Sequence, residues 1–136
     1  MKQFIQSLSI LSIIIISMAA SCRREPYKPD FEHAGGYVIG KETCKSNPDS
    51  DYWLIDLSHP ANVVTTYGDT ITVDGISYTN MVKTTELSPA LKTVGKKVSF
   101  DFRLSRSKVS TTGCTAADPV TYNLKEMQII AQGELR

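Results

Sequence analysis

The chain has 136 residues, of which 15 are Lys or Arg and 14 are Asp or Glu, so its formal net charge is +1. A chain of this length fits one domain and is short for two. Because the opposite charges balance, the composition does not predict strong electrostatic attraction to nucleic acid or to an anionic membrane surface. The sequence contains no internal repeat and no low-complexity stretch.

Residues 1–21 have the layout of a secretory signal peptide. Lys2 precedes a mostly apolar run over 8–20, which ends in the small residues Ala19, Ala20 and Ser21. A membrane-spanning helix needs about 20 apolar residues, and this run is shorter. A basic start, a short apolar middle and a small-residue end predict a cleaved signal. The alternative is a buried N-terminal helix.

Cys22 follows directly after these small residues. Small residues followed by cysteine resemble the lipobox of bacterial lipoproteins, although Ala19 stands where that motif usually has leucine. The resemblance implies that Cys22 carries a thioether-linked diacylglycerol and that its new amine is acylated. Two or three acyl chains make membrane attachment lasting, whereas one chain of about 14 carbons holds a protein only marginally. The alternative is an ordinary cleaved signal with a free cysteine nearby.

The other two cysteines are Cys44 and Cys114. An odd cysteine in an exported protein requires an explanation, and lipidation of Cys22 supplies one. The remaining two then predict a disulfide, because disulfides persist in oxidising compartments. Two free buried thiols, or one reactive thiol, are the alternatives.

The segment 22–36 is predicted to be a flexible tether, since it is polar, contains two prolines and closes on Gly35-Gly36. Many surface lipoproteins of Bacteroidota carry acidic residues just after the lipidated cysteine. This chain has Arg23-Arg24 there, which favours an outer-membrane anchor that faces the periplasm. The remaining residues, 37–136, are expected to form one domain. Lys2 is the only charged residue before Cys22, so the mature chain has a formal charge of zero.

Alternating apolar and polar residues predict the first two strands, at 37–45 and 51–57, because strand side chains point to opposite faces with period two. Gly40 marks a bend or bulge in the first strand. In the second, Trp53, Ile55 and Leu57 share one face, and the opposite face is also partly apolar, which favours a central strand. The polar segment 47–51 is the turn between them.

A hairpin is predicted over 68–82. Asp74-Gly75 suits the positive φ angles of a type I′ turn. This turn pairs Val73 with Ile76, Thr72 with Ser77, Ile71 with Tyr78 and Thr70 with Thr79. Each pair joins like with like, which predicts one buried face.

The rest of the chain predicts a short helix and two further strands. A helix is predicted over 88–95, because Ser88 can cap its start, Pro89 suits the first helical position and Gly95 suits its end. The segment 96–105 alternates cleanly, with Val98, Phe100, Phe102 and Leu104 inward. The segment 120–132 fits either a helix or a strand, and a strand is favoured because an all-β core needs a closing partner.

This order of elements resembles an OB-like barrel, in which a helix links the third and fourth strands. The expected fold is therefore all-β with one short helix, as a five- to six-stranded OB-like antiparallel barrel. An immunoglobulin-like sandwich would need about seven strands.

The sequence predicts no catalytic constellation, so an enzyme is not expected. His33 and His59 have no second ligand at metal-binding spacing. The segment 47–58 imitates an EF-hand but lacks its glycine and its final glutamate, which leaves only a looser calcium site at Asp49 and Asp51 as an alternative. No metal site and no cofactor are predicted.

Two surfaces are candidates for binding. Tyr52 and Leu54 lie on the strand face opposite Trp53, in the region that OB-like folds use for oligonucleotides or sugars; packing under a loop is the alternative. Arg103, Arg106 and Lys108, with Lys96 and Lys97 nearby, could form a basic patch, or serve only to keep a strand edge soluble. The sequence thus predicts a lipid-anchored envelope protein with a non-catalytic binding or assembly module. Its expected contacts are the membrane, through Cys22, and an envelope protein partner, with no nucleic acid. A glycan or small-ligand module using Tyr52 and Leu54 is the alternative.

Overall fold

The structure is a computed structural model that describes residues 30–59 and 65–135. The predicted signal peptide, Cys22 and most of the predicted tether lie outside the described residues. Within the described part of the chain, no helix is both long and apolar enough to cross a membrane.

The described chain forms six strands and two short 3₁₀ turns. The strands are β1 (Glu32–Lys41), β2 (Trp53–His59), β3 (Asp69–Val73), β4 (Ile76–Thr84), β5 (Lys97–Val109) and β6 (Leu124–Glu134). The 3₁₀ turns are Pro48–Ser50 and Pro89–Leu91.

Five of the strands close into a ring. The sheet order is β2-β1-β5-β6-β4-β3, and an additional pairing of β2 with β4 joins the ring, with β3 attached outside it. This arrangement confirms the all-β, OB-like barrel, and the turn Pro89–Leu91 occupies the predicted place of the linking helix. The ladders are antiparallel except between β4 and β6, which are parallel at Lys83 and Glu126. The sheet is therefore mixed rather than wholly antiparallel.

Strand β1 begins inside the segment predicted as tether. It starts at Glu32 and pairs with β5 from Glu32 to Tyr37. Gly36, predicted to close the tether, has a packing role instead. A Cβ at this position would lie 2.7 Å from the Asp56 carbonyl oxygen, so the glycine allows β1 to approach β2 closely. His33, predicted to lie in the tether, is an exposed residue of β1 whose Nδ1 lies 2.5 Å from Asp101 Oδ1.

The central strand β2 has buried apolar side chains on both faces, although on the second face Leu54 alone is fully buried. One face contributes to the barrel interior, whose buried side chains are Ala34, Val38, Trp53, Ile55, Leu57, Val82, Leu87, Leu91, Val98, Phe100, Phe102 and Met127. The other face belongs to a second cluster outside the barrel, formed by Leu54, Val73, Met81 and Leu124. The predicted inward face of β5 is confirmed, with Leu104 partly buried at the edge of the interior.

The predicted hairpin is confirmed with one change. Val73 pairs with Ile76, and the next two predicted pairs follow in register, before an irregularity between Asp69 and Ile71 interrupts the ladder. Asp74 and Gly75 adopt positive φ angles of 49° and 81°, as the turn type requires. Ile76 is 58% exposed, so the apolar face is only partly buried.

Two further predictions have clear outcomes. The ambiguous C-terminal segment is a strand, β6, which pairs along most of its length with β5. The element predicted as a helix over 88–95 is reduced to the single turn Pro89–Leu91, where Leu91 alone is buried. One apolar anchor is too little to hold a longer helix against the barrel.

Candidate functional site

The predicted binding face of β2 is closed. Leu54 is only 1% exposed and packs in the second cluster. Tyr52 is half-buried, and its hydroxyl donates to Glu126 Oε1 at 3.2 Å. Burial, followed by the negative charge of Glu126, raises the pKa of Tyr52 above its usual value. Leu54 is therefore not available to a ligand, and the Tyr52 hydroxyl already has a partner.

The segment between β5 and β6, residues 110–123, helps to close this face. Its Thr111 and Tyr122 reach a buried ion pair between Lys83 of β4 and Glu42, which follows β1. Both charged side chains are fully inaccessible to solvent, and Lys83 Nζ lies 3.0 Å from Glu42 Oε1.

Every donor of the buried lysine has an acceptor. Lys83 Nζ donates to Glu42, to Thr111 Oγ1 at 2.7 Å and to the Tyr122 carbonyl oxygen at 2.8 Å. Glu42 in turn accepts from the Tyr122 amide at 2.9 Å and from the Thr111 hydroxyl. The ammonium also lies 4.4 Å from the centre of the Tyr52 ring. A buried pair that is fully hydrogen-bonded in this way holds the 110–123 segment on the barrel.

The predicted disulfide joins the same segment to the β1–β2 connection. Cys44 and Cys114 are bonded, 70 residues apart in sequence. Beside them the two segments pair through their backbones, since Thr43 forms an isolated antiparallel bridge with Val120. Asp51, once a candidate calcium ligand, is buried and accepts from the Cys44 and Lys45 amides at 3.0 and 2.8 Å. Within residues 30–59 and 65–135 no cluster of three or more His, Cys, Asp or Glu suits a metal ion.

The predicted basic patch is divided by the structure. Arg103 and Arg106 line one groove, whereas Lys108 Nζ pairs with Asp69 Oδ1 at 2.9 Å. At the other end of the strand, Lys96 pairs with Glu134 and the Lys97 ammonium lies 5.7 Å from the Tyr37 ring centre.

The groove beside Arg103 and Arg106 is an open, concave feature of the barrel. It has a volume of about 570 Å³, and we call it the Tyr67 groove; its polar lining includes Glu32, Thr66, Tyr67, Arg103, Arg106 and Lys125. An irregularity in the β5–β6 ladder shapes it, because the register breaks between Leu104 and Lys108. Extra residues on one strand bend it and turn its side chains aside, and such bulges are over-represented next to active sites.

Asn80 positions the wall that carries Tyr67. The Asn80 side chain is 6% exposed, and its Oδ1 accepts from the amides of Tyr67 at 2.8 Å and Gly68 at 2.6 Å. Its amide group donates to the Leu57 carbonyl oxygen at 3.1 Å. The Tyr67 ring packs edge-on against Phe102, with 5.3 Å between ring centres. Burial and the charge of Glu32 raise the pKa of Tyr67.

Gly68 is required for the same wall, and we expect Gly68→Ala to lower the free energy of unfolding. A Cβ at this position would lie 2.2 Å from the Met81 carbonyl oxygen, so the backbone must shift. Forced contacts of this kind cost about 1–3 kcal/mol. Urea denaturation measures the loss, and Gly40→Ala is the matched control, because a Cβ at Gly40 meets nothing within 4 Å. Equal midpoints for the two variants would contradict the expected clash.

A second groove of about 420 Å³ lies beside the first and shares Arg103 and Leu104 with it. Its lining also includes Glu86 and Glu126, so it is more acidic than the Tyr67 groove. The Glu86 carboxylate accepts from the Ile129 amide at 2.6 Å, at the end of the barrel where β4 no longer pairs with β6. Arg103 therefore separates a basic recess from an acidic one.

The groove residues that the sequence did not identify include Tyr67 and Lys125. Tyr67 precedes the hairpin in an irregular segment, and Lys125 lies in the stretch whose strand or helix character was ambiguous. Lys125 Nζ donates to the Tyr67 carbonyl oxygen at 3.2 Å, a contact that spans 58 positions. No local pattern signals such a distant contact.

Comparisons with known protein families, with curated proteins and with solved structures found no match to this chain.

Proposed function

We propose that this protein is a bacterial envelope lipoprotein, anchored through Cys22 to the outer membrane on its periplasmic side, whose barrel is a non-catalytic binding module. The disulfide supports the exported location, because such bonds persist outside the reducing cytoplasm. It also supports lipidation, since bonding of Cys44 to Cys114 leaves Cys22 as the cysteine without a disulfide partner.

The Tyr67 groove is the observation that carries the binding function. Its volume of about 570 Å³ lies within the range of about 300–1,000 Å³ typical of ligand sites. The β2 face is a weaker candidate because Leu54 is buried there. Among the residues that the structure describes, the large exposed apolar side chains are spread over several elements: Ile76, Val94, Val120, Ile130 and Leu135.

The groove also lies where the chain enters the barrel. Asp30 is one of its lining residues and stands eight positions after Cys22. Eight extended residues span at most about 29 Å. A lipid at Cys22 would therefore hold the groove close to the membrane, so its ligand would be a component of the envelope or a molecule that enters it.

One experiment in intact cells tests both parts of the proposal. The full-length protein carries a photo-crosslinking amino acid at Thr66, with and without Cys22→Ser, and cells are fed a labelled fatty acid. We expect label in the membrane fraction with Cys22 and none with Cys22→Ser, because the thioether needs the cysteine sulfur. The Cys44→Ala/Cys114→Ala variant is the control and should retain the label. Full labelling of Cys22→Ser would refute the anchor.

Crosslinking reports on the groove separately. We expect a specific adduct from Thr66 and none from Thr93, an exposed position near the start of β5. An adduct with one envelope protein would identify an assembly partner, and an adduct with a glycan would identify a ligand. Identical background from both positions would contradict a binding role for the groove.

A further inference from the structure

Positive charges outnumber negative ones in the described lining of the Tyr67 groove, where Arg103, Arg106 and Lys125 face the carboxylates of Asp30 and Glu32. Arg103 already has an ion-pair partner, because its guanidinium lies 2.5 Å from the Asp30 carboxylate. Arg106 is exposed and has no hydrogen-bond or ion-pair partner within the described ranges. Lys125 Nζ donates to one carbonyl oxygen, which leaves two of its three protons available. One guanidinium and one ammonium therefore face the groove with unused donors.

These two groups are suited to one anionic group. A guanidinium offers parallel N–H donors that match the two oxygens of a carboxylate, and an ammonium adds a point charge beside it. The salt bridge of Arg103 with Asp30 closes one side of the site and holds the β5 wall to the chain entering the barrel.

The remaining lining suits a ring that carries hydroxyl groups. Tyr67 and Phe102 form a packed aromatic pair, and Phe31 adds further apolar surface. The Tyr67 ring is held by its packing against Phe102, and its backbone amide donates to Asn80, so little freedom is lost when a ligand contacts the ring. The Glu32 carboxylate, which accepts weakly from the Tyr67 hydroxyl at 3.4 Å, and the exposed Thr66 offer partners for hydroxyl groups.

We propose that the Tyr67 groove binds an acidic saccharide, with the sugar carboxylate between Arg106 and Lys125 and the ring against Tyr67. This inference rests on the proposed binding function and names its ligand class. Apolar walls alone would favour a neutral hydrophobic ligand, and cations alone would favour any anion. The combination with hydroxyl-accepting groups selects a charged sugar.

The test is calorimetric titration of the purified full-length protein in detergent with three acidic probes: trigalacturonate, a hyaluronan tetrasaccharide and sialyllactose. We expect at least one to bind, and its carboxylate methyl ester to bind at least about tenfold more weakly, because the charge-assisted hydrogen bonds are lost. Arg106→Gln should weaken the binding of the acid by a similar factor and leave the binding of the ester unchanged. Lys97→Gln, at the far end of β5, is the matched control and should have no effect.

The outcomes separate this inference from the proposed function. If the acid and its ester bind equally well and Tyr67→Ala abolishes the binding of both, the groove binds sugars but has no preference for acidic ones. This result would overturn the inference and leave the proposed binding function standing. If the protein binds only inorganic phosphate, or only vesicles that contain phosphatidylglycerol, the assignment of a saccharide as the ligand would be overturned. If none of the three acids binds, the inference fails, and the crosslink from Thr66 then decides whether the groove binds anything else.

Discussion

Lys83→Met is expected to lower the free energy of unfolding by about 3–5 kcal/mol, because it leaves the Glu42 carboxylate buried without its counter-ion. The pair spans 41 positions and lies under Thr111 and Tyr122, so the loss also loosens the 110–123 segment. Urea denaturation at neutral pH with the disulfide intact measures the change.

The double variant Glu42→Leu/Lys83→Met separates the cost of an unpaired buried charge from the contribution of the ion pair itself. Replacing both charges with apolar side chains removes the unpaired carboxylate, and exchanges of this kind are often neutral or stabilising. We therefore expect the double variant to recover most of the loss. Lys96→Met is the surface control; its pair with Glu134 is partly exposed and should contribute about 1 kcal/mol or less. A Lys83→Met effect as small as that of Lys96→Met would refute a structural role for the buried pair.

The parts of the fold that could be predicted from the sequence are those whose signal is local. Strand β5 alternates over its first eight residues, and its inward Phe100 and Phe102 are 1% and 0% exposed. The hairpin was specified twice, by the turn at Asp74-Gly75 and by the matching of like residues across it. Where two local signals agree, little freedom is left for tertiary packing to change the result.

The first strand shows where a local signal misleads. Gly35-Gly36 is typical of a linker, yet both residues lie in β1. The reason is the close approach of β2 at Gly36, a contact with residues about 20 positions away. A pair of glycines that indicates flexibility in an isolated segment can instead mark a close approach of two strands in a barrel.

The buried Lys83–Glu42 pair and the Tyr67 groove could not be predicted, because segments distant in sequence build both. Lys83 directly follows the predicted hairpin 68–82, where an exposed lysine is usual, and its burial depends on Glu42 and on the 110–123 segment. The Tyr67 groove similarly combines β1, β5, β6 and the approach to β3. Arg103 and Arg106 were identified as a basic patch, but the aromatic wall that gives the patch a ligand preference was not.

Removing the disulfide, in Cys44→Ala/Cys114→Ala, is the second large expected effect. Closing a loop of 70 residues restricts the unfolded chain, and the chain-entropy argument gives a loss of about 4 kcal/mol when the bond is removed. Urea denaturation of this variant, and of the unaltered protein with and without reductant, should give matching losses. A loss well below 1 kcal/mol would mean that the Thr43–Val120 bridge and the ion pair hold the two segments without the bond.

The disulfide and the Lys83–Glu42 pair hold the same segment, so their effects should not add. Residues that share one structural element show interaction energies of about 0.5–3 kcal/mol in double-mutant cycles. We expect Lys83→Met to cost less after the disulfide is removed, because the 110–123 segment is then already loosened. Amide hydrogen exchange at Tyr122, whose N–H donates to Glu42 at 2.9 Å, reports the same coupling without full unfolding. Either change should accelerate exchange at Tyr122 and leave the exchange of the Phe100 amide, in the barrel interior, unaffected until global unfolding. Strictly additive losses of stability, with exchange at Tyr122 unchanged in both variants, would show that the disulfide and the ion pair do not hold the 110–123 segment together.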